Sequence, residues 1–314
     1  MDLKGKRILV TGGAGFVGRH VVSNLLGKGI TQAAITISRS EDSDLRLFEQ
    51  CRKAVSDHQV VIHLAGTTGG IEFHRQNPAK IFYDNLLMGV QLMEAAREEG
   101  VVKFVTIGSA TEYPEHAPLP FKEEDLWQGF PEAIHAPYTV AKKMLLVQAQ
   151  AYRKQYGMNV IHLLMTNMYG PGEKLDSSFV IPSLIRRIWQ AKREHRKSIE
   201  IWGTGRPTRD FLYVKDAAEG IVRAAEVYDK PEPVNIGSGW EISIRELVEI
   251  IITLMDFHGE IKFDETKPDG QMRRMMNTTR AEQELKFRAA TDFKEGIKNT
   301  INWYVPELEK SIKQ

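Results

Sequence analysis

The 314-residue sequence predicts an α/β fold, a doubly wound parallel sheet followed by a smaller C-terminal substrate-binding domain. Three observations carry this. Ile8-Leu9-Val10-Thr11 is a short apolar strand that breaks into a glycine turn and then an apolar-periodic helix through Val21, Val22, Leu25 and Leu26. Further apolar runs at 33–37, 60–66, 103–107 and 160–164 alternate with helical stretches, the rhythm of a parallel sheet. Beyond residue 170 the composition changes to a basic amphipathic helix and short mixed elements.

Each element then takes its place. In Gly12-Gly13-Ala14-Gly15-Phe16-Val17-Gly18, glycines spaced GxxGxxG let the backbone turn tightly and approach a pyrophosphate. The free amides at the helix N-terminus, around Phe16 and Val17, would meet its charge. The next strand ends at Ser38-Arg39-Ser40, where an NAD-selective site places an acid about 20 residues beyond the glycines. A hydroxyl and a guanidinium there suit a ribose 2′-phosphate, so NADP is the expected cofactor; Asp42 close by keeps NAD open. Asp44 and Leu45 either line the adenine pocket or belong to a solvated loop. Strand 60–66 ends in Leu64-Ala65-Gly66, which passes beside the cofactor at the carboxyl edge of the sheet, while His63 within it reads as a packed core residue. A helix spans 85–96, and the strand beginning at 103 runs out into Gly108-Ser109-Ala110-Thr111.

Composition bounds the rest. Lys and Arg total 42 against 41 Asp and Glu, so no overall charge draws the chain to nucleic acid or an anionic membrane. The single cysteine, Cys51, excludes an intrachain disulfide framework, and with no metal-ligand spacing it argues against a structural zinc site. A reducing, cytosolic compartment fits. No apolar run approaches the ~20 residues that span a bilayer, and the N-terminus lacks a signal peptide's apolar region.

The chemistry centres on Ala136-Pro137-Tyr138-Thr139-Val140-Ala141-Lys142. Proline before a run of helix formers marks a helix N-terminus, so Tyr138 and Lys142 share one helical face. An ammonium nearby is expected to stabilise the phenolate, lowering the phenol pKa from about 10 toward working range for proton exchange with an alcohol or ketone. Ser109, at the end of a central strand, can hold the reacting oxygen.

Downstream, Val160 to Leu164 forms a strand running on to Asn167-Met168-Tyr169-Gly170-Pro171-Gly172. Phe179-Val180-Ile181-Pro182 opens the basic helix, extended to Lys197, and Trp202 introduces Arg206 to Val214. Arg187 and Arg209 are either ligands for a second diphosphate or solvated cations. Residues 1–170, with 205–237, read as the cofactor domain; residues 171–204 and 238–314 read as the substrate domain. From about Pro233 the chain alternates short elements: strands at 234–237 and 261–263, a helix at 244–256 and two final helices.

TGGAGFVG at 11–18, HLAG at 63–66, Ser109, YxxxK at 138–142, NMYGPG at 167–172 and RDFLYVKD at 209–216 resemble, in order, the extended short-chain dehydrogenase/reductase family, whose members mostly remodel nucleotide-linked sugars. Within it the chain looks most like the GDP-fucose synthase branch, bifunctional 3,5-epimerases and 4-reductases, through GGI at 69–71, VIPSLIRR at 180–187, WGTGRPTRDFLYV at 202–214 and KPDGQMRR at 267–274. The resemblance implies a Rossmann fold, a nucleotide-sugar substrate and a homodimer through helices that include 85–96 and 137–152. It implies Tyr138 as general acid/base, Lys142 as its partner and a cofactor-ribose ligand, and Ser109 as the O4 contact. It further implies Asn167, Val180, Arg187, Trp202, Arg209 and Arg274 around the nucleotide sugar. That branch carries a cysteine and a histidine where this chain has Thr111 and Phe179. Phenylalanine cannot move a proton and threonine is a very weak acid, so 3,5-epimerisation is expected to be lost or rebuilt from other groups. Ser109-Ala110-Thr111 also resembles UDP-hexose 4-epimerases, the alternative activity.

Overall fold

Apolar residues on both sides of each central strand dictate the layering. In β1 (Ile8–Thr11) the side chains of Ile8 and Val10 face one core and Leu9 the other. α1 (Phe16–Gly27) follows, then β2 (Ile35–Ser38), α2 (Phe48–Val55) and β3 (Val60–His63), where Val60 and Ile62 again oppose Val61. Next come α3 (Ile71–Gln76), α4 (Pro78–Glu98), β4 (Lys103–Ser109), α5 (Ala136–Tyr156) and β5 (Asn159–Met165). A period of two with both faces apolar reads as an unbroken apolar run, which is why these strands are buried by helices on either side. The computed structural model describes residues 1–39, 41–267 and 269–313. Ser40 and Pro268, which the sequence reading includes, lie outside them.

The remaining elements are β6 (Asn167–Tyr169), α6 (Val180–Arg193), β7 (Ser198–Trp202), β8 (Thr208–Arg209), β9 (Phe211–Tyr213), α7 (Val214–Val227) and β10 (Val234–Ile236). β11 (Ile242–Ser243), α8 (Ile244–Leu254), β12 (Glu260–Asp264), β13 (Arg273–Arg274) and α9 (Phe293–Lys313) complete the chain. The main sheet has six parallel strands in the order β10-β5-β4-β3-β1-β2. Its direction of winding reverses between β1 and β3, the switch point where such sheets bind ligands beyond their carboxyl edge. α1 and α7 cover one face, α2, α4 and α5 the other. A third apolar core joins α6, β7, β9, α8 and α9, including Ile185, Ile201, Phe211, Ile251 and Tyr304.

Several boundaries differ from the sequence reading. α4 begins at Pro78, not 85, because Pro at the first helical turn starts the helix two turns earlier. α6 stops at Arg193, and residues 198–202 form β7 beside β12. The closing pair is one π-helical turn, Ala281–Leu285, and one helix.

Asn235 on β10 ties the loops over this edge together. Fully buried, it donates from Nδ2 to the carbonyls of Phe121 (2.9 Å) and Asn277 (3.0 Å) and accepts from the Tyr113 hydroxyl (2.7 Å). Asn235→Ala leaves the Tyr113 hydroxyl buried and unpaired and takes a donor from the half-buried Asn277 carbonyl, and should cost about 3 kcal/mol. Urea unfolding with an unchanged m-value is the check.

Candidate active site

The glycine turn is shaped by close backbone approach. Gly12 has φ +67°, and a Cβ there would stand 2.9 Å from the Ala65 amide nitrogen. A Cβ on Gly18 would overlap the Gly12 carbonyl. α1 starts at Gly15 with no side chain capping its first amides, so those donors face outward for an anion, as a dinucleotide pyrophosphate requires. Beyond β3, Ala65 donates from its amide to Thr11 Oγ1 (3.3 Å), fixing Leu64 to Gly66 against the turn. His63 is core, paired through Nδ1 with Thr11 Oγ1 at 2.8 Å, as expected.

At the end of β2, Arg39 is exposed and its carbonyl accepts from the amides of Asp42 and Ser43. Asp44 is held by Arg46 (2.7 Å), whose guanidinium also reaches Asp84 (3.0 Å); hydrogen bonding to Arg46 takes the Asp44 carboxyl down to about 2. Leu45 turns its side chain into the core beside Cys51. The two residues thus serve loop and core with their side chains.

Ser109 closes β4. Its Oγ accepts from the Thr111 amide (3.2 Å) and hydroxyl (3.0 Å), and Thr139 on α5 donates its hydroxyl toward Thr111 Oγ1 and carbonyl, both at 3.2 Å. A line of hydroxyls therefore joins the strand end to the helix residue next to Tyr138. Lys142 is 4% exposed; its Nζ lies 5.9 Å from the Tyr138 ring centroid and 3.6 Å from where a Gly66 Cβ would be. Burial pushes Lys142 down to about 8.

The expected acidification of Tyr138 is not what this site does. Loss of water, and then the charge of Glu112, push the phenol well above its ordinary value. Burial outweighs any help from Lys142, so the resting site holds a protonated phenol beside an ammonium.

Residues that the sequence reading did not single out surround this pair. Asn85, inside α4, is buried and bonds Thr67 through both ends of its amide, accepting from the amide (3.1 Å) and donating to the carbonyl (2.8 Å). His74 meets the Tyr138 ring edge-on, centroids 5.7 Å apart, and His135 lies 5.0 Å from His74. Burial lowers His74 to about 4, keeping it neutral. His135 Nδ1 is 2.9 Å from Glu132, which also pairs with Arg274 (3.2 Å). A polar residue on an apolar helical face is a usable sign for Asn85; His74 has none, since His135 and Tyr138, which it meets, are distant in sequence.

The other named residues fall in two places. Arg209 and Arg274 are register partners in β8 and β13, and burial lowers both, Arg209 to about 10. Asn167 donates to the Asp210 carbonyl at 3.2 Å. Arg187 bonds the Glu200 carbonyl and lines an open cleft of about 500 Å³ with Gln190, Arg196 and Lys262. Trp202 is 65% exposed with Lys267 over its ring; Phe179, the N-cap of α6 before Val180, is 41% exposed. Among the described residues no cluster of His, Cys, Asp and Glu could hold a metal ion, and no helix is long and apolar enough to cross a membrane.

These features define a dinucleotide-type fold with a tyrosine–lysine pair beside its glycine turn. Residues 8–237 match the NAD dependent epimerase/dehydratase family, and the chain belongs to it. It is 37% identical over 310 residues to GDP-L-fucose synthase of Sinorhizobium fredii, covering 98% of each chain. Among solved structures it resembles a GDP-6-OMe-4-keto-L-xylo-heptose reductase from C. jejuni (27% identity, TM-score 0.91, 98% of this chain and 99% of that one). It also resembles MlghC, the GDP-mannoheptose C4 reductase from Campylobacter jejuni with NADP bound (28% identity, TM-score 0.87, 97% and 99%).

The buried ammonium gives a signed prediction. Lys142 is charged in both folded and unfolded states below pH 8 and neutral in both above its ordinary value, so its cost is complete below pH 8 and fades as pH rises through that window. Lys142→Met should therefore raise the stability of the ligand-free protein by up to about 3 kcal/mol at pH 7, with no gain above pH 10.5. Denaturant unfolding at both pH values checks it.

Proposed function

We propose that the protein is an NADP(H)-dependent reductase of a 4-keto nucleotide sugar, GDP-linked, that acts at C4 without 3,5-epimerisation. The observation that carries this reading is the placement of Tyr138 beside the buried Lys142, on the helix that the Ser109–Thr111 hydroxyl line reaches. Residues 1–170 with 205–237 hold the cofactor, and 171–204 with 238–314 the nucleotide sugar. The Gly12, Gly15 and Gly18 backbone, with uncapped amides at Phe16 and Val17, fits the pyrophosphate; Ser38 and the exposed Arg39 suit the 2′-phosphate, and Lys142 the ribose. Bound NADPH supplies the hydride.

The chain's own residues do the rest. Ser109 Oγ holds the ketone oxygen at C4, and as that oxygen gains charge Tyr138 transfers its phenolic proton to it, giving the alcohol. Lys142 stabilises the phenolate left behind, which solvent reprotonates. Arg209 and Arg274, shielded from water, would gain more from a nucleoside diphosphate than exposed arginines would. The GDP linkage is supported by the printed names of the relatives that this chain resembles. Thr111 has its hydroxyl committed to Ser109 and Thr139, and Phe179 carries no proton, which supports loss of the C3 and C5 chemistry.

A homodimer through α4 and α5 is supported by Phe82, Tyr83 and Val147, large apolar side chains exposed on those helices. A cytosolic setting follows from the reading as a nucleotide-sugar enzyme with a single, buried, free thiol.

NADPH oxidation with a GDP-linked 4-keto-6-deoxyhexose is the direct test; no turnover, with NAD retained through purification, would replace it with the 4-epimerase reading. Tyr138→Phe should lower kcat by roughly 10²–10⁴-fold while cofactor binding persists. Arg39→Ala should raise KM for NADPH by about 10–100-fold and leave NADH nearly unaffected, the loss of one charged hydrogen bond to the 2′-phosphate. In D2O the product should carry no deuterium at C3 or C5 by NMR.

A further inference from the structure

Behind the hydroxyl line lies a pair of titratable side chains to which the reaction above gives no role. Glu112 and His162 are both fully buried, Glu112 Oε2 lying 3.2 Å from His162 Nε2. The other carboxylate oxygen, Oε1, accepts from the Ser109 amide at 2.8 Å. Glu112 belongs to the short 3-10 turn, Ala110–Glu112, that leaves β4, and His162 to β5. The pair crosses the face of β4 over Gly108, where any Cβ would overlap both Glu112 Oε1 and His162 Nε2. Glycine at this position, the sixth residue of β4 and free of a left-handed backbone, is thus explained by the room the pair needs. We infer that Glu112, held by His162, is a positioning residue that clamps the Ser109 backbone and sets a negative charge behind Tyr138, keeping the site in its proton-donating form. The inference rests on the reductase reading.

The physical argument is one of placement. A buried carboxyl group is costly unless its oxygens are bonded, and both are, so the side chain is fixed in place and cannot swing into the site. The titratable groups that face it are His162 from β5, Tyr138, Lys142 and Lys143 from α5, and Tyr113 beside it. Its charge opposes ionisation of the phenol and supports the ammonium. Ketone reduction needs the phenol protonated and alcohol oxidation needs it ionised, so the same charge keeps more of the enzyme ready for reduction as pH rises.

The test is the pH profile of kcat/KM for NADPH-dependent reduction of the GDP-linked 4-keto-6-deoxyhexose. Glu112→Gln keeps size and an acceptor for the Ser109 amide but removes the charge; the basic limb should move down by roughly half to one pH unit. Glu112→Asp keeps the charge and serves also if the Gln variant fails to fold; its limb should stay with the parent's even where kcat falls. A Gln limb unmoved, or an Asp limb displaced like that of Gln, overturns the inference and leaves the reductase reading intact. Absence of turnover in the parent protein rejects the reductase reading itself, and the inference with it.

Discussion

Taking an ammonium out of water is the constraint around which this site is built. Lys142 sits one helical turn beyond Tyr138 with almost no exposed surface, and burial draws its pKa down to about 8 against the opposing charge of Glu112. The fold tolerates this because α5 packs on β4 and β5, and Gly66, beyond the end of β3, has no side chain to crowd the ammonium. Lys143, the next residue, is as deeply placed, but its Nζ donates to the Leu126 carbonyl (2.6 Å) and stands 4.2 Å from the Trp127 centroid. One lysine thus secures α5 to the loop before it, while the other holds its charge beside the phenol. The loss of local stability at Lys142 goes with a proton inventory suited to donation.

That inventory depends on burial more than on proximity. A lysine one turn from a tyrosine suggests, from sequence, a more acidic phenol, and the structure shows the reverse for the resting site. The pull of a neighbouring cation is a local effect that spacing reveals. The loss of water is set by everything packed around the phenol, the ring of His74 included, and the charge of Glu112 adds to it; neither residue belongs to the same helix. An enzyme that must deliver a proton to an oxygen gaining charge needs a phenol that remains protonated until that moment.

The same distinction separates what was legible in the sequence from what was not. β1, β3 and β5 follow from apolar runs, and the turn at 12–18 from glycine spacing, because those signals are local. Ser109, Tyr138 and Lys142 stand out as candidates because each stands in a motif near an element end. Asn85 was missed as a site residue because the helix around it was begun too late, at 85 in place of Pro78. Its two bonds to Thr67 require a residue well inside α4. Glu132 and Arg274 pair across 142 positions, and Glu112 with His162 spans 50, separations over which one sequence carries no pairing signal. Leu45 illustrates the converse: its place after the strand end suggested a ligand contact, and the apolar side chain went where apolar side chains go.

The loop that leaves β4 brings fold and candidate chemistry into the same atoms. Ser109 ends a central strand and begins a 3-10 turn, and its hydroxyl caps that turn by accepting from the Thr111 amide, while the Glu112 carboxylate returns a bond to the Ser109 amide. A capping box ordinarily secures a helix start; here it also fixes the direction in which the Ser109 oxygen can point. Thr111 completes the line with a hydroxyl that has donor and acceptor partners on either side, so it can orient but has little reason to ionise. Chemistry at C3 and C5 of a keto sugar asks for two additional groups that gain and lose protons on opposite faces. A loop whose hydroxyls are tied to one another supplies orientation for a single transfer, which is what reduction at one carbon requires.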